Sequence, residues 1–159
     1  MPLTFAYGSN MDAQAMAARC PAARLVGRAR LPRFRVALMP CGFATVIRDA
    51  GATAHGLLWE LNFGDLAALD RYEGVGQGTY VKISQPVLRE NAAPVRALVY
   101  IGKPDAGLGR APADYVSKIV AAARAHALPP DHIDFLRRLG GETVDKAPRF
   151  RAIKNLSQL

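Results

Sequence analysis

The order of strand-like and helix-like segments is the strongest constraint on the fold of this chain. Apolar or alternating runs typical of strands occur at residues 3–7, 23–39, 43–47, 54–61, 80–88 and 95–101. Helical spacing or helix-boundary residues mark 12–18, 64–72, 112–127 and 131–139. These segments do not follow the regular β–α–β alternation of parallel α/β proteins. We therefore predict an α+β fold with a small, mixed and strongly curved sheet.

Turn-forming residues predict where several of these elements begin and end. Residues 49–51, Asp-Ala-Gly, separate two strand-like runs and indicate a hairpin turn. Asn62 is a good helix N-cap, and Asp65 follows it near the positive end of the helix dipole. Gly74 predicts the end of that helix. Pro112 predicts the start of the long helix, because proline is tolerated in the first helical turn.

The composition fits a single globular domain. Half of the 159 residues are hydrophobic, which is enough for a core without disulfides or metals. No apolar stretch approaches the roughly 18 residues of a transmembrane helix, and no positively charged leader is visible. We therefore expect a cytoplasmic protein without membrane association. We assign residues 1–140 to the domain and 141–159 to its basic C-terminal tail.

The net charge of +8, from 21 basic and 13 acidic residues, raises the hypothesis of a nucleic-acid-binding module. Arg28, Arg30, Arg33 and Arg35 alternate with other residues, as on the solvated face of a strand. We favour that interpretation over a phosphate-binding stripe, so we do not expect a nucleic-acid partner.

The two cysteines carry no metal-binding signal. Cys20 and Cys41 have no CxxC spacing and no histidine cluster beside them. We expect two buried, reduced thiols and no metal site.

Glu73 is the first candidate for chemistry. It is one of four glutamates, and its spacing from Leu66 and Leu69 places it on the apolar face of the predicted helix. Burial disfavours the charged carboxylate and raises its pKa, which suits a general base near neutral pH. The alternative is a helix-end glutamate that turns to solvent or caps a neighbour.

The other candidates are a loop and a tyrosine. Tyr7, Gly8, Ser9 and Asn10 follow the first strand, where glycine allows close backbone approach and free N–H groups can bind a carboxylate or an oxyanion. An ordinary turn is the alternative. Tyr115, in the first turn of the long helix, has a hydroxyl that can orient a polar ligand, or it can serve as an aromatic core anchor.

Taken together, these segments resemble the gamma-glutamylcyclotransferase family. The resemblance extends from about residue 3 to residue 139 and rests on the ordered motifs FAYGSNM (5–11), GFATV (42–46), HGLLW (55–59), LDRYEGV (69–75), GTYV (78–81), ALVY (97–100) and PADY (112–115). It implies a small mixed β-barrel flanked by helices, with the loop and Glu73 meeting in one cavity.

The resemblance also implies a reaction without cofactor or metal. The free α-amine of a γ-glutamyl compound attacks its own γ-carbonyl, giving 5-oxoproline and a released amine or amino acid, as in glutathione metabolism. Glu73 is then the general acid/base, and the loop N–H groups bind the charged end of the substrate or the oxyanion. Tyr7 and Tyr115 line the site, with Tyr80 and Tyr100 as weaker candidates.

The resemblance leaves the substrate and the assembly open. Asn10 stands where glutathione-specific relatives usually carry leucine, which favours γ-glutamyl amino acids as substrates and leaves γ-glutamylamines open. We expect a monomer or a homodimer. The alternatives are a related enzyme acting on another γ-glutamyl conjugate, a nucleic-acid-binding module, and a regulatory γ-glutamyl-binding protein without turnover.

Overall fold

The structure, a computed structural model, describes residues 1–102 and 111–144 of the chain. In this part, five strands close into a barrel in the order β1-β3-β2-β4-β5. The strands are β1 (Leu3–Ala6), β2 (Arg24–Leu38), β3 (Ala44–Glu60), β4 (Tyr80–Arg89) and β5 (Val95–Gly102). The helices are α1 (Ala13–Arg19), α2 (Phe63–Tyr72), α3 (Tyr115–Ala125) and α4 (Pro130–Leu139). Only the β1–β5 pair is parallel, so the predicted α+β class with a curved, mixed sheet is confirmed.

The predicted hairpin turn at residues 49–51 is wrong, because these residues lie inside the long strand β3. β2 pairs with both halves of β3, through Phe34 opposite Arg48 and Pro32 opposite Thr53. Residues 49–52 of β3 therefore lie opposite the single β2 residue Arg33, where the regular pairing of the two strands is interrupted. The Asp49 side chain accepts a hydrogen bond from the Gly51 N–H at 3.1 Å, so the turn-like residues form a local bulge without reversing the chain.

The same irregularity keeps one face of β2 in the core. Ala29 and Leu31 are buried before it, and Phe34 and Val36 after it, so the buried positions change from odd to even numbers. Arg33, at the change, has a φ of 66°, in the left-handed region that few residues adopt. The shift leaves the four alternating arginines on the solvent side, as predicted, although Arg35 is half-buried.

The helix boundaries agree with the predictions except at α3. Asn62 caps α2 by accepting a hydrogen bond from the Asp65 N–H at 2.7 Å, and Gly74 ends the helix region with a φ of 67°. The long helix α3 begins at Tyr115, three residues after the predicted Pro112. Asp114 precedes it with a φ of 64°, and this left-handed residue prevents the helical conformation from reaching back to the proline.

The cysteine prediction is half right. Cys20 is buried and its thiol donates to the Asp65 carbonyl oxygen at 3.4 Å, and burial raises its pKa to about 11. Cys41 is exposed, so the expectation that it is buried is wrong. Its place in the turn between β2 and β3 accounts for this, since a turn has no core-facing side.

Two further expectations can be compared with the described residues only in part. The basic tail falls largely on residues 145–159, which lie outside them, so the division at residue 140 stays a prediction. Within residues 1–102 and 111–144, no helix is long and apolar enough to cross a membrane.

Candidate functional site

All eight residues predicted for the site line one pocket at an end of the barrel. The end of β1 and the 3-10 turn after it supply the loop, the C-terminus of α2 supplies the carboxylate, and β4, β5 and α3 each supply a tyrosine. The residues are Tyr7, Gly8, Ser9, Asn10, Glu73, Tyr80, Tyr100 and Tyr115, and Phe5, Ala6 and Ala44 complete the lining. The free space among them is about 30 Å3, enough for about one or two water molecules.

Glu73 is held in the pocket by the way α2 ends. It is the C-cap residue, one position beyond the helix, and its N–H donates to the Leu69 carbonyl oxygen at 2.9 Å. Glu73 still has helical backbone angles and follows the buried Leu69 by one turn, and the pocket walls add to its burial. The Asn10 side-chain amide donates to Glu73 Oε1 at 2.6 Å. The carboxylate thus faces the loop across the pocket, and it neither turns to solvent nor caps a neighbour.

Burial raises the pKa of Glu73, while the hydrogen bond from Asn10 and the positive charge of Arg19 act in the opposite direction. The net result is a carboxyl group whose pKa lies above that of an exposed glutamate. Among the residues that line the pocket, Glu73 is the one acid. It is therefore the group there whose carboxylate can accept a proton from a bound molecule.

Two tyrosines form a fixed wall of the pocket. The Tyr7 hydroxyl donates to the Tyr100 carbonyl oxygen at 2.5 Å, and the Tyr80 hydroxyl donates to the Ala44 carbonyl oxygen at 2.7 Å. Burial raises the pKa of both phenols. They remain neutral at physiological pH and serve as positioned donors without taking part as bases.

Tyr115 differs from the other tyrosines, because its hydroxyl oxygen accepts a hydrogen bond from the Ala44 N–H at 3.0 Å. An oxygen used as acceptor leaves the phenolic proton free to donate, and burial raises the pKa of this phenol, so the proton stays. The ring of Phe43 packs edge-on against the ring of Tyr115, with centroids 5.2 Å apart. Tyr115 therefore offers a donor to whatever enters the pocket.

The loop supplies space and backbone donors. A Cβ atom on Gly8 would lie 3.3 Å from the Cβ of Ala44 and 3.8 Å from the Tyr115 hydroxyl oxygen, so a side chain there would fill the pocket. The Met11 N–H closes the 3-10 turn by donating to the Gly8 carbonyl oxygen at 3.0 Å. Within residues 1–102 and 111–144, the N–H groups of Ser9 and Asn10 have no acceptor among the turn and cap hydrogen bonds. Such free, neighbouring donors suit an anion or an oxyanion.

Sequence reasoning missed Arg19 and Asp70, which support the pocket from behind. Arg19 donates to Asn10 Oδ1 at 2.5 Å. Asp70 accepts hydrogen bonds from the Tyr100 hydroxyl at 2.6 Å and from the Lys82 ammonium at 2.7 Å. Asp70 stands within the LDRYEGV segment, which was a usable signal. Arg19 offers none beyond its place in the last turn of a helix, where a basic residue is ordinary.

A family model described as the AIG2-like family matches residues 53–136, more than half of the chain. The chain belongs to the AIG2-like family. The matched region of this AIG2-like chain contains Glu73, Tyr80, Tyr100 and Tyr115, while the loop at residues 7–10 lies before it. In the described part of the AIG2-like chain, no group of three or more His, Cys, Asp or Glu residues is arranged to hold a metal ion.

Several relatives of this chain are named gamma-glutamylcyclotransferase, the family that its sequence resembles. The gamma-glutamylcyclotransferase of Homo sapiens is 27% identical over 147 residues, which cover 86% of this chain and 78% of the human protein. That of Bos taurus is 31% identical over 108 residues, which cover 62% of this chain and 57% of the bovine protein. A solved structure titled gamma-glutamyl cyclotransferase is 26% identical and superimposes with a TM-score of 0.79 over 86% of each chain. The predicted family and fold are confirmed.

Proposed function

We propose that the protein is a gamma-glutamylcyclotransferase, which converts a γ-glutamyl amino acid or amine into 5-oxoproline and the free amine. The observation that carries the proposal is the placement of Glu73, with its raised pKa, opposite the loop donors in a tyrosine-lined pocket. The named relatives support it. Ring closure is intramolecular, so the main tasks are to fold the substrate and to move protons from the attacking nitrogen to the departing one.

Glu73 carries out the proton transfer in this proposal. The attacking amine is an ammonium at neutral pH and must lose a proton before it reacts. Oε1 of Glu73 is occupied by the Asn10 amide, which leaves Oε2 to accept that proton. The same nitrogen must lose a second proton as the ring closes, because the lactam nitrogen of 5-oxoproline keeps only one hydrogen. The Glu73 carboxyl group passes both protons in turn to the departing nitrogen, which leaves as an ammonium ion. The group must be ionised before substrate binds, so activity is lost on the acid side as Glu73 becomes protonated.

The loop and Tyr115 stabilise the negative charge of the substrate. The free N–H groups of Ser9 and Asn10 bind either the α-carboxylate or the oxygen of the γ-carbonyl as it becomes an oxyanion. Tyr115 donates its uncommitted proton to the same region. Tyr7 and Tyr80 hold the shape of the pocket, because their own protons are used on backbone carbonyl groups.

Substrate entry requires the pocket to widen. Its free space of about 30 Å3 is too small for a γ-glutamyl group, whose roughly nine non-hydrogen atoms need several times the volume of a water molecule.

The experiment measures 5-oxoproline release from γ-glutamyl-alanine, glutathione and ε-(γ-glutamyl)-lysine by the purified protein. We expect turnover of at least one substrate and its loss, by about a hundredfold or more, in Glu73→Gln. Glu90→Gln is the matched control, since Glu90 is an exposed glutamate far from the pocket lining. Full activity of Glu73→Gln refutes the mechanism, and release from ε-(γ-glutamyl)-lysine alone identifies a conjugate-specific enzyme.

A further inference from the structure

Arg19 reaches the pocket through a chain of side-chain hydrogen bonds. It is the last residue of α1, and its guanidinium donates to Asn10 Oδ1 at 2.5 Å and to Ser9 Oγ at 3.4 Å. Asn10 in turn donates from Nδ2 to Glu73 Oε1 at 2.6 Å. Three residues from three separate segments are thereby connected in the order Arg19, Asn10, Glu73.

The chemistry of Arg19 determines which way the Asn10 amide points. A side-chain amide has an oxygen that only accepts and a nitrogen that only donates, and the two ends have nearly the same shape. A guanidinium has donors and no acceptor. The Arg19 contact is therefore compatible only with the oxygen facing Arg19, and this orientation turns the nitrogen towards Glu73. The ionised carboxylate of Glu73 only accepts and favours the same orientation, so the amide is fixed from both ends. Without Arg19, one of these two constraints is lost and the amide is held less firmly.

Arg19 also influences the charge of Glu73. Burial raises the pKa of this carboxyl group, and the two effects that lower it are the Asn10 hydrogen bond and the charge of Arg19. Both effects depend on Arg19, one directly and one through the amide orientation. Loss of Arg19 therefore removes one of the effects that oppose burial and weakens the other, which favours the protonated form.

Tyr72 holds the guanidinium in place. The Arg19 guanidinium carbon lies 3.8 Å from the centroid of the Tyr72 ring, within the range of a cation–π contact. The planar guanidinium can stack on this ring and still direct N–H groups at Asn10 and Ser9. A lysine ammonium carries the same charge but does not reproduce both contacts.

We propose that Arg19 is a positioning residue for the reaction, which orients the Asn10 amide and through it keeps the Glu73 carboxylate aimed and ionised. The inference rests on the proposed cyclotransferase function for its kinetic consequence. It does not rest on that function for its effect on Glu73, which can be measured without turnover.

The kinetic test uses Arg19→Met, Arg19→Lys and Asn10→Ala. Arg124→Met is the matched control, because Arg124 is also a basic residue in the last turn of a helix but is exposed on α3. We expect Arg19→Met to lower kcat/KM at pH 7 by about tenfold or more and to move the acid limb of the pH profile to higher pH. Arg19→Lys retains part of the charge effect but does not orient the Asn10 amide. We therefore expect its acid limb to move less than that of Arg19→Met, while kcat/KM still falls.

A double-mutant cycle tests whether Arg19 acts through Asn10. If it does, Arg19→Met has a much smaller effect in the Asn10→Ala background than in the native protein. Equal losses in both backgrounds overturn the proposal. A loss matched by Arg124→Met also overturns it, because the effect then comes from the helix terminus and not from the site.

The measurement that is independent of turnover is the titration of Glu73 by carbon NMR with labelled glutamate carboxyl groups. The chain has four glutamates, and Glu73→Gln identifies the signal. We expect the Glu73 midpoint to rise in Arg19→Met and to stay unchanged in Arg124→Met. An unchanged midpoint in Arg19→Met overturns the inference. A raised midpoint in a protein that releases no 5-oxoproline supports the inference and refutes the proposed function.

Discussion

Mild acid destabilises this protein through a buried histidine outside the pocket. His132 lies in the first turn of α4 and is 7% exposed, and its Nε2 has no hydrogen-bond partner within residues 1–102 and 111–144. Its ring centroid is 5.2 Å from that of His55. Burial is the main cause that lowers the pKa of His132 to about 4, and the neighbouring His55 is the second.

The charged groups around the pair give the direction of the effect. Burial lowers the pKa of His55, and the positive charge of Arg30, which pairs with it across the two strands, lowers it further. Asp49 and Asp131 line the same surface cleft as the two rings, but neither forms a hydrogen bond or ion pair with them in the described part of the chain. The folded protein therefore keeps both imidazoles neutral where the unfolded chain protonates them.

The magnitude follows from the difference between the folded and unfolded pKa values. With an unfolded pKa of 6.5 and a folded value of about 4, and each unit worth about 1.4 kcal/mol, the full effect of His132 is about 3.5 kcal/mol. This stability is fully present above pH 6.5 and is lost as the pH falls towards 4, because only the unfolded chain gains the proton. About 2 kcal/mol is lost by pH 5.

Urea unfolding between pH 8 and pH 5 measures the effect. We expect the free energy of unfolding to fall by about 2 kcal/mol more in the native protein than in His132→Leu, whose side chain does not titrate. Proton NMR of the ring signals is the direct check, since the chain has three histidines. Parallel stability curves for the two proteins, or a His132 midpoint near 6.5 in the folded state, would refute the reasoning.

Three further predictions concern single backbone and capping positions. Gly56→Ala lowers the free energy of unfolding by about 3 kcal/mol, because its Cβ would lie 2.0 Å from the Ala6 carbonyl oxygen; Gly76→Ala, with open space around its Cβ, is the control in urea unfolding. Gly8→Ala lowers kcat/KM on the order of tenfold with the thermal midpoint nearly unchanged, since its methyl group enters the pocket. Asn62→Ala lowers the free energy of unfolding by about 1 kcal/mol through the lost helix cap, as measured by urea unfolding.

Much of the fold could be predicted because its signals are local. Asn62 and Gly74 delimit α2 through hydrogen bonds and a left-handed residue that lie within a few positions of each other. The error at residues 49–51 has the opposite origin. Asp49 and Gly51 do form a local turn-like contact, but the chain continues because both halves of β3 pair with β2, whose length and bulge no local pattern of β3 reveals.

The composition of the site could be predicted better than its geometry. The loop and Glu73 stand in motifs that resemble a known family. The resemblance predicts that they meet in one pocket, and both line the same pocket in the structure. The sequence did not show that Glu73 is a C-cap residue or that the Tyr115 hydroxyl accepts where the other tyrosines donate. Those features depend on contacts between elements far apart in the chain, and Arg19 escaped notice for the same reason.

The positive charge of the chain reaches the pocket only indirectly within the described residues. Arg19 acts on it through Asn10, and Lys82 through Asp70, which accepts from the Tyr100 hydroxyl. Arg19 is thus already engaged by Asn10 and Ser9 of the pocket wall, and Lys82 by Asp70 behind it. The wall itself carries one charged group, Glu73. A γ-glutamyl substrate has an ammonium and a carboxylate on the same carbon. Under the proposed function, the carboxylate of Glu73 selects the ammonium, and neutral backbone N–H groups bind the substrate carboxylate without placing a cation where it would repel the ammonium.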